Sequence, residues 1–298
     1  PNIDRLAAEG ITFDQHILRT PDLATPAPSL NDWQPHARAC LDRLHGGDGV
    51  IHLLGPTFAP PWDLSEDLLT AYSEDDEVEP WPDPVPGELA DDDGVLRVQD
   101  TYAAAVTWFD ALLGRVLEDL AARPGSEEMM VVLTSSAGYP LGEHGRLGWD
   151  RPWLHDEAVH VPLIIRCPGR RLAGLRIGAI TQPDDLTNAL AAWAKSGVDD
   201  LGGAGGLPGL IRGDIVEIRP HALSTWSVGG RSETALRTPE WALLVPGERL
   251  AEDPPRTVQL YVKPDDRWEV NDIGDQELET VETLERTLRE GVSPELDT

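Results

Sequence analysis

The stretch Val98–Leu133, VQDTYAAAVTWFDALLGRVLEDLAARPGSEEMMVVL, decides the fold class. Its apolar positions Val98, Tyr102, Ala105, Phe109, Leu112, Val116 and Leu120 step by three and four, so they share one stripe of a helix. Pro124-Gly125 stops that pattern, and the spacing predicts a helix over Val98–Ala121. Met129–Leu133 follows as a wholly apolar run, the kind that forms a strand covered on both faces. A second such run, Val161–Arg166, ends at Pro168-Gly169. Strands of this kind alternating with a long amphipathic helix predict an α/β sheet with helices packed on it.

Working outward, Asn2–Gly10 reads as a short helix capped by Asn2, with Ile3 and Leu6 on one face. Ile11–Phe13 reads as extended, residues 20–36 as loop, Ala37–Leu44 as a helix and Val50–Leu54 as a strand. Asp184 or Asp185 caps a further helix running to Lys195. Gly202–Gly209 then reads as a glycine-rich loop. Ala235–Arg237 and Trp241–Val245 flank Thr238-Pro239-Glu240 as a hairpin, Val258–Val262 adds a strand, and Glu277–Glu290 is a final helix. The expected organisation is an α/β domain over residues 1–200 and a small antiparallel subdomain with a terminal helix over 201–298.

Composition limits the function classes. The 298 residues hold 24 basic and 53 acidic side chains, a formal charge of −29, with 40% apolar residues. That apolar share supports a real core rather than a disordered acidic tail. The charge argues against nucleic acid and against anionic lipid as partners. Residues 74–93 carry ten acidic residues, four prolines and no Lys or Arg, and read as a solvated surface loop rather than a cation cage. Cys40 and Cys167 give no disulfide framework or metal spacing and read as inert thiols. No apolar run reaches the length that spans a bilayer. No basic-then-apolar segment opens the chain, which favours a cytoplasmic protein. Pro1 starts in mid-pattern, as in a fragment or a processed chain.

Several pieces, in order, resemble the sulfatase family. Pro1–Phe13, PNIDRLAAEGITF, is similar to the segment after that family's first strand. Tyr102–Leu117, YAAAVTWFDALLGRVL, resembles the helix before its metal-binding strand. Val131–Gly138 (VVLTSSAG), Leu141–Gly145 (LGEHG) and His155–Arg166 (HDEAVHVPLIIR) resemble its central block. Leu260–Asp272, LYVKPDDRWEVND, resembles its C-terminal segment. The series is similar to a sulfatase-like group of planctomycete bacteria. The resemblance implies an alkaline-phosphatase-like α/β/α sandwich with a mixed sheet. An intact sulfatase carries much more chain between Phe13 and His52 than this sequence does.

The resemblance also implies a chemistry that these residues lack. Such enzymes hydrolyse sulfate esters with a calcium ion, an oxidised Cys or Ser nucleophile and a shell of Lys, His and Arg. The nucleophile position falls on Leu23 without gaps, or on Pro26 when Pro28-Ser29 is aligned; Ser29 has no neighbouring base. In the Thr-Ser-Asp-His-Gly type metal turn, here Thr134–Gly138, Ser136 stands for the carboxylate and Ala137 for the His or Asn. The family's first metal ligands, an acidic pair, would precede Pro1. The Pro-His-x-Pro histidine is missing from Gly55–Trp62, and no Lys follows the Gly-Glu-His-Gly turn. No metal or other cofactor is therefore expected, calcium belonging only to an intact site.

What remains is a polar cluster of Glu143, His144, Asp150, His155, Asp156, Glu157 and His160, with Trp149 and Trp153 nearby. It reads as hydrogen bonds that hold the turn after the sheet, or as a surviving substrate pocket or relocated metal site. The expected function is a sulfatase-like protein without sulfate-ester hydrolysis that binds or scaffolds a small anion, a glycan or a protein. The alternative is an active metal-dependent sulfuric-ester or phosphate-ester hydrolase with a rearranged site.

Overall fold

A computed structural model describes residues 1–23, 30–42, 52–53, 55, 58–72, 80–88, 92–196, 205–247 and 257–291. Helix α1 (Asn2–Ala8) leads into strand β1 (Ile11–His16), followed by α2 (Leu30–Leu41) and α3 (Glu66–Leu69). A short β2 (Gly87–Glu88) precedes the long α4 (Asp92–Ala121). Then come β3 (Val131–Thr134), β4 (Arg146–Leu147), α5 (Asp156–Val159), β5 (Leu163–Arg166), β6 (Leu175–Thr181), α6 (Pro183–Ser196) and α7 (Gly206–Arg212). Strands β7 (Ala222–Val228), β8 (Arg231–Arg237), β9 (Trp241–Pro246) and β10 (Gln259–Val262) precede α8 (Leu278–Gly291).

The first sheet has the order β3-β5-β1-β6. It is mixed: β1 runs antiparallel to β5 and parallel to β6, and β3 is antiparallel to β5. Side chains alternate between its faces. Ile164, Val131 and Leu133 pack with α1, α2 and α4 around Leu6, Trp33, Phe109 and Leu112. Leu163, Ile165 and Val132 pack on the other face with α6 and α7 around Trp193 and Leu207. The apolar runs predict an α/β sheet with helices packed on it, and helices on both faces make the three-layer α/β/α arrangement that the resemblance implies.

The second sheet, order β10-β9-β8-β7, is wholly antiparallel. Arg237 pairs with Ala242 across the expected hairpin. One face carries Leu236, Leu243 and Leu260 against Leu284 and Leu288 of α8. The other puts Ala235, Ala242, Leu244 and Tyr261 against Leu154, Ala158, Val159 and Ile17 from the first sheet's end. A continuous apolar cluster therefore joins the two sheets.

Several local expectations are corrected. Asn2 does not cap α1; Pro1 holds that position, and Asp110 of α4 does the capping from outside. Its carboxylate accepts the backbone N–H of Asn2 at 2.9 Å and of Ile3 at 2.8 Å, donors that an isolated helix start leaves unpaired. The helices approach so closely that a Cβ at Gly114 would lie 2.6 Å from Asn2 Cγ. Helix α4 begins at Asp92, because the acids of the presumed loop favour a helix N-terminus. Residues 87–88 of that stretch pair with β4, and 73–79 lie outside the described residues. Helix α2 begins at Leu30, inside the presumed loop, with Pro35 within it. β3 is covered on both faces, as expected, but it is the edge strand, and Val131, Val132 and Leu133 are only half-buried. Residues 206–209 are the start of α7 rather than loop. β6 and β7 have no counterpart in the sequence reading. Of the expected strand Val50–Leu54, only His52 and Leu53 are described, and neither is in a strand. Among the described residues, no helix is long and apolar enough to cross a membrane.

Asp110 anchors α1 to α4 through four hydrogen bonds to Asn2 and Ile3 from its carboxylate. Asp110→Ala should cost about 2 kcal/mol of unfolding free energy, with Asp110→Asn intermediate, measured by urea denaturation.

Candidate functional site

The site lies where the first sheet's C-terminal turns meet the second sheet. Gly138, just after β3, donates its N–H to Ala158 O at 2.9 Å. A Cβ there would sit 1.9 Å from the carbonyl oxygen of Glu157, so only glycine lets the turn close on α5. This contact holds the Thr134–Gly138 turn against the segment carrying His155, Asp156 and Glu157.

At the turn itself, the Ser136 hydroxyl donates to the backbone oxygen of Asp22 at 3.2 Å, and Asp22 N–H donates to Ser136 O at 3.0 Å. Ala137 supplies only a methyl, and its N–H contacts Ser135 Oγ at 3.4 Å. Calcium needs six to eight hard oxygen ligands, so a neutral hydroxyl already donating and a methyl do not fit it. Leu23, one candidate nucleophile position, is 45% exposed and brings no nucleophilic atom. Pro26 and Ser29 lie outside the described residues.

Five members of the polar cluster do converge. The His144 and His155 rings stack with centroids 3.9 Å apart. His144 Nε2 lies 3.7 Å from Glu157 Oε1, which also accepts the Trp153 indole N–H at 2.9 Å. His155, 1% exposed, places Nδ1 2.7 Å from Glu269 Oε2. Asp156 lies 3.9 Å from His160, whose Nε2 donates to Asp14 O at 2.7 Å. His155 and His160 sit on the two caps of the four-residue α5. Two members stay apart in their contacts: Asp150 pairs with Arg146 at 3.5 Å, and Glu143 accepts the Leu141 N–H at 2.7 Å. Trp149 packs edge-on against Trp226 of β7 at 4.9 Å.

The second sheet supplies partners that the sequence reading did not name. Arg237 donates to Asp156 Oδ1 at 2.7 Å, to Glu269 Oε1 at 3.1 Å and to Leu154 O at 2.6 Å. Lys263 Nζ lies 2.9 Å from Asp156 Oδ2 and 3.1 Å from Glu269 Oε1. Glu233 accepts the Leu154 N–H at 2.7 Å. Glu269 holds this place from a left-handed backbone position, φ 54°. The available signal was Lys263, one of only two lysines in the chain, inside the quoted segment Leu260–Asp272. Arg237 and Glu233 gave none, since a charge in an antiparallel strand usually faces water.

The charges respond to this packing. Burial pushes the Asp156 carboxyl upward, but Arg237, His160 and Lys263 outweigh it and hold it well below the usual range. Glu269 is likewise lowered against its burial, chiefly by Arg237. Glu157 is lowered against burial by its contact with His144, and His144 is raised against burial by Glu157. Glu143 is raised, mainly by burial. His16, at the end of β1, bonds Thr181 Oγ1 at 2.9 Å and is lowered to about 4 by burial, with His160 and Arg219 adding.

Residues 49–196 match the family model described as Sulfatase. This part of the chain belongs to the sulfatase family. The chain is 31% identical over 107 residues to human (Homo sapiens) iduronate 2-sulfatase, covering 35% of this chain and 19% of that protein. It is 34% identical over 104 residues to N-acetylglucosamine-6-O-sulfatase of Bacteroides thetaiotaomicron, covering 35% of this chain and 18% of the relative. These matches span about a fifth of the relatives' length. Among solved structures, a 2-O GAG sulfatase superposes with TM-score 0.64 at 16% identity, over 97% of this chain and 85% of the other. The phosphonate monoester hydrolase of Agrobacterium radiobacter superposes with TM-score 0.53 at 18% identity, over 66% and 42%. The fold is the alkaline-phosphatase-like α/β fold of the sulfatases, with its mixed sheet and a separate antiparallel sheet.

Two histidines of the fold titrate in opposite senses. His16 is neutral in the folded state at pH values where an unfolded histidine, pKa about 6.5, takes a proton. Its contribution is therefore complete above pH 6.5 and lost as pH falls toward 4, by at most about 3 kcal/mol. His144 acts in the opposite sense, adding stability below pH 6.5 that is lost as pH rises through its folded value. The difference in urea stability between wild type and His16→Gln isolates the first effect. That difference should fall, in wild type's disfavour, between pH 6.5 and 4; a pH-independent difference would contradict the assignment.

Proposed function

We propose that this protein keeps the sulfatase fold without sulfate-ester hydrolysis and acts by binding or scaffolding. The observation that carries the reading is the end of β3. There Ser136 and Ala137 stand where the resemblance calls for metal ligands, and Ser136 is spent on the backbone of Asp22. Leu23 adds no nucleophile. Without a cation or cationic shell at that position, charge developing on sulfuryl and leaving oxygens is unstabilised, a loss of several orders of magnitude in rate. The pocket residues proposed for a ligand are Glu143, His144, Asp150, His155, Asp156, Glu157 and His160. A division near residue 200 belongs to the same reading, since the first sheet's strands all precede it and the second sheet's all follow. The ligand class that suits a site with Arg237 and Lys263 behind it is a small anion, a glycan's acidic group or an acidic protein segment.

The test is turnover by the purified chain of an aryl sulfate and an aryl phosphate, with calcium in excess. The expected rate matches buffer. Turnover that survives stringent purification and disappears in His144→Ala would overturn the reading in favour of a rearranged hydrolase.

A further inference from the structure

One cluster is not explained by the ionic network around Arg237. Ligand atoms of His144, His155, Glu157 and Glu269 all lie within 4.8 Å of one another. Glu269 is the acceptor-only member: its oxygens take Arg237 and Lys263 on one side and His155 Nδ1 and the Asp156 N–H on the other. With Glu269 accepting from Arg237, Lys263 and the Asp156 N–H, His155 Nδ1 is the donor to it, and the neutral tautomer of that ring presents its Nε2 lone pair on the opposite side. That Nε2 is buried with no hydrogen-bond partner, in a residue 1% exposed. His144 Nε2 is also buried without a hydrogen bond, 3.7 Å from Glu157 Oε1. Two buried imidazole nitrogens left unsatisfied beside a carboxylate are costly unless something occupies the space between them.

We propose that His144, His155 and Glu157 bind a divalent transition metal ion of the zinc type, with Glu269 orienting His155 from behind. The ligand chemistry discriminates. Two imidazoles and one carboxylate suit zinc and its neighbours, while calcium and magnesium favour oxygen alone. A carboxylate on the far nitrogen of a ligating histidine is the usual device that fixes its tautomer and raises its basicity. Tetrahedral ligands at about 2.1 Å from zinc lie roughly 3.4 Å apart, so side-chain movements draw the ligands in on binding. A protonated imidazole offers no lone pair to a metal, so affinity falls as pH falls. The site's ligands do not include Ser136 or Ala137 of the neighbouring turn.

The test is titration of the metal-stripped chain with zinc chloride by calorimetry, with cobalt(II) as an absorption probe. The expected result is one zinc per chain at micromolar affinity or tighter, not competed by calcium. His144→Ala and Glu157→Gln, each checked for native circular dichroism, should each weaken binding at least about tenfold. Cys40→Ala is the control, because Cys40 Sγ and His36 Nε2, 3.7 Å apart on α2, form a rival two-ligand pair. It should leave affinity unchanged. No zinc binding by the folded wild type, or affinity untouched in both site variants, would overturn the proposal. So would loss of binding confined to Cys40→Ala. Turnover assays report separately on the proposed loss of hydrolysis.

Discussion

The structure depends on a buried exchange of charge between its two sheets. Arg237 of β8 and Lys263 after β10 hold Asp156 and Glu269, and through them His155 and the backbone of Leu154. Two cations meet two carboxylates, so the group is near neutrality where little water reaches it. Such a network adds little over a hydrophobic substitute, yet removing one member strands a buried charge at several kcal/mol. Its consequence is geometric. The segment Leu154–His160 is clamped on one side by the second sheet and on the other by the turn at Gly138. The residues most able to do chemistry are therefore held by the same bonds that join the sheets.

That double use separates fold from activity. The three-layer core, the mixed sheet and the antiparallel sheet rest on alternating apolar side chains and do not involve Ser136 or Ala137. Ser136 and Ala137, in place of a carboxylate and a histidine at the end of β3, cost the core nothing, and Ser136 bonds Asp22. The proposed loss of hydrolysis and the retained architecture are then compatible without any compensating change in the packing. Lys263 and Arg237 supply positive charge near the cluster, but both are engaged by carboxylates, which limits what they offer a free anion.

Much of the fold was legible in the sequence, and the exceptions have physical reasons. The stripe from Val98 to Leu120, the apolar run ending at Arg166 and the Thr238-Pro239-Glu240 hairpin read correctly because each encodes burial locally. The start of α4 was missed because Asp92 and Asp93 are unfavourable in loop-versus-core terms and favourable at a helix N-terminus. The apolar run Met129–Leu133 predicts a strand covered on both faces, while the edge position of β3 depends on the order of distant strands. β6, LRIGAIT, carries an arginine and a glycine that blur its period. In the candidate site, His144, His155, Asp156 and Glu157 lie close together in sequence, so their grouping was legible there. Arg237, Lys263 and Glu269 are 81, 107 and 113 residues from Asp156, and only tertiary structure brings them there.

The central claim is that the strand-end metal turn no longer holds a cation. Calorimetric titration of calcium into the purified chain tests it without a guess at substrate. The account predicts no heat of binding at micromolar to millimolar calcium. Stoichiometric calcium binding at micromolar affinity or tighter would contradict it, because Ser136 and Ala137 offer no ligands for such an ion.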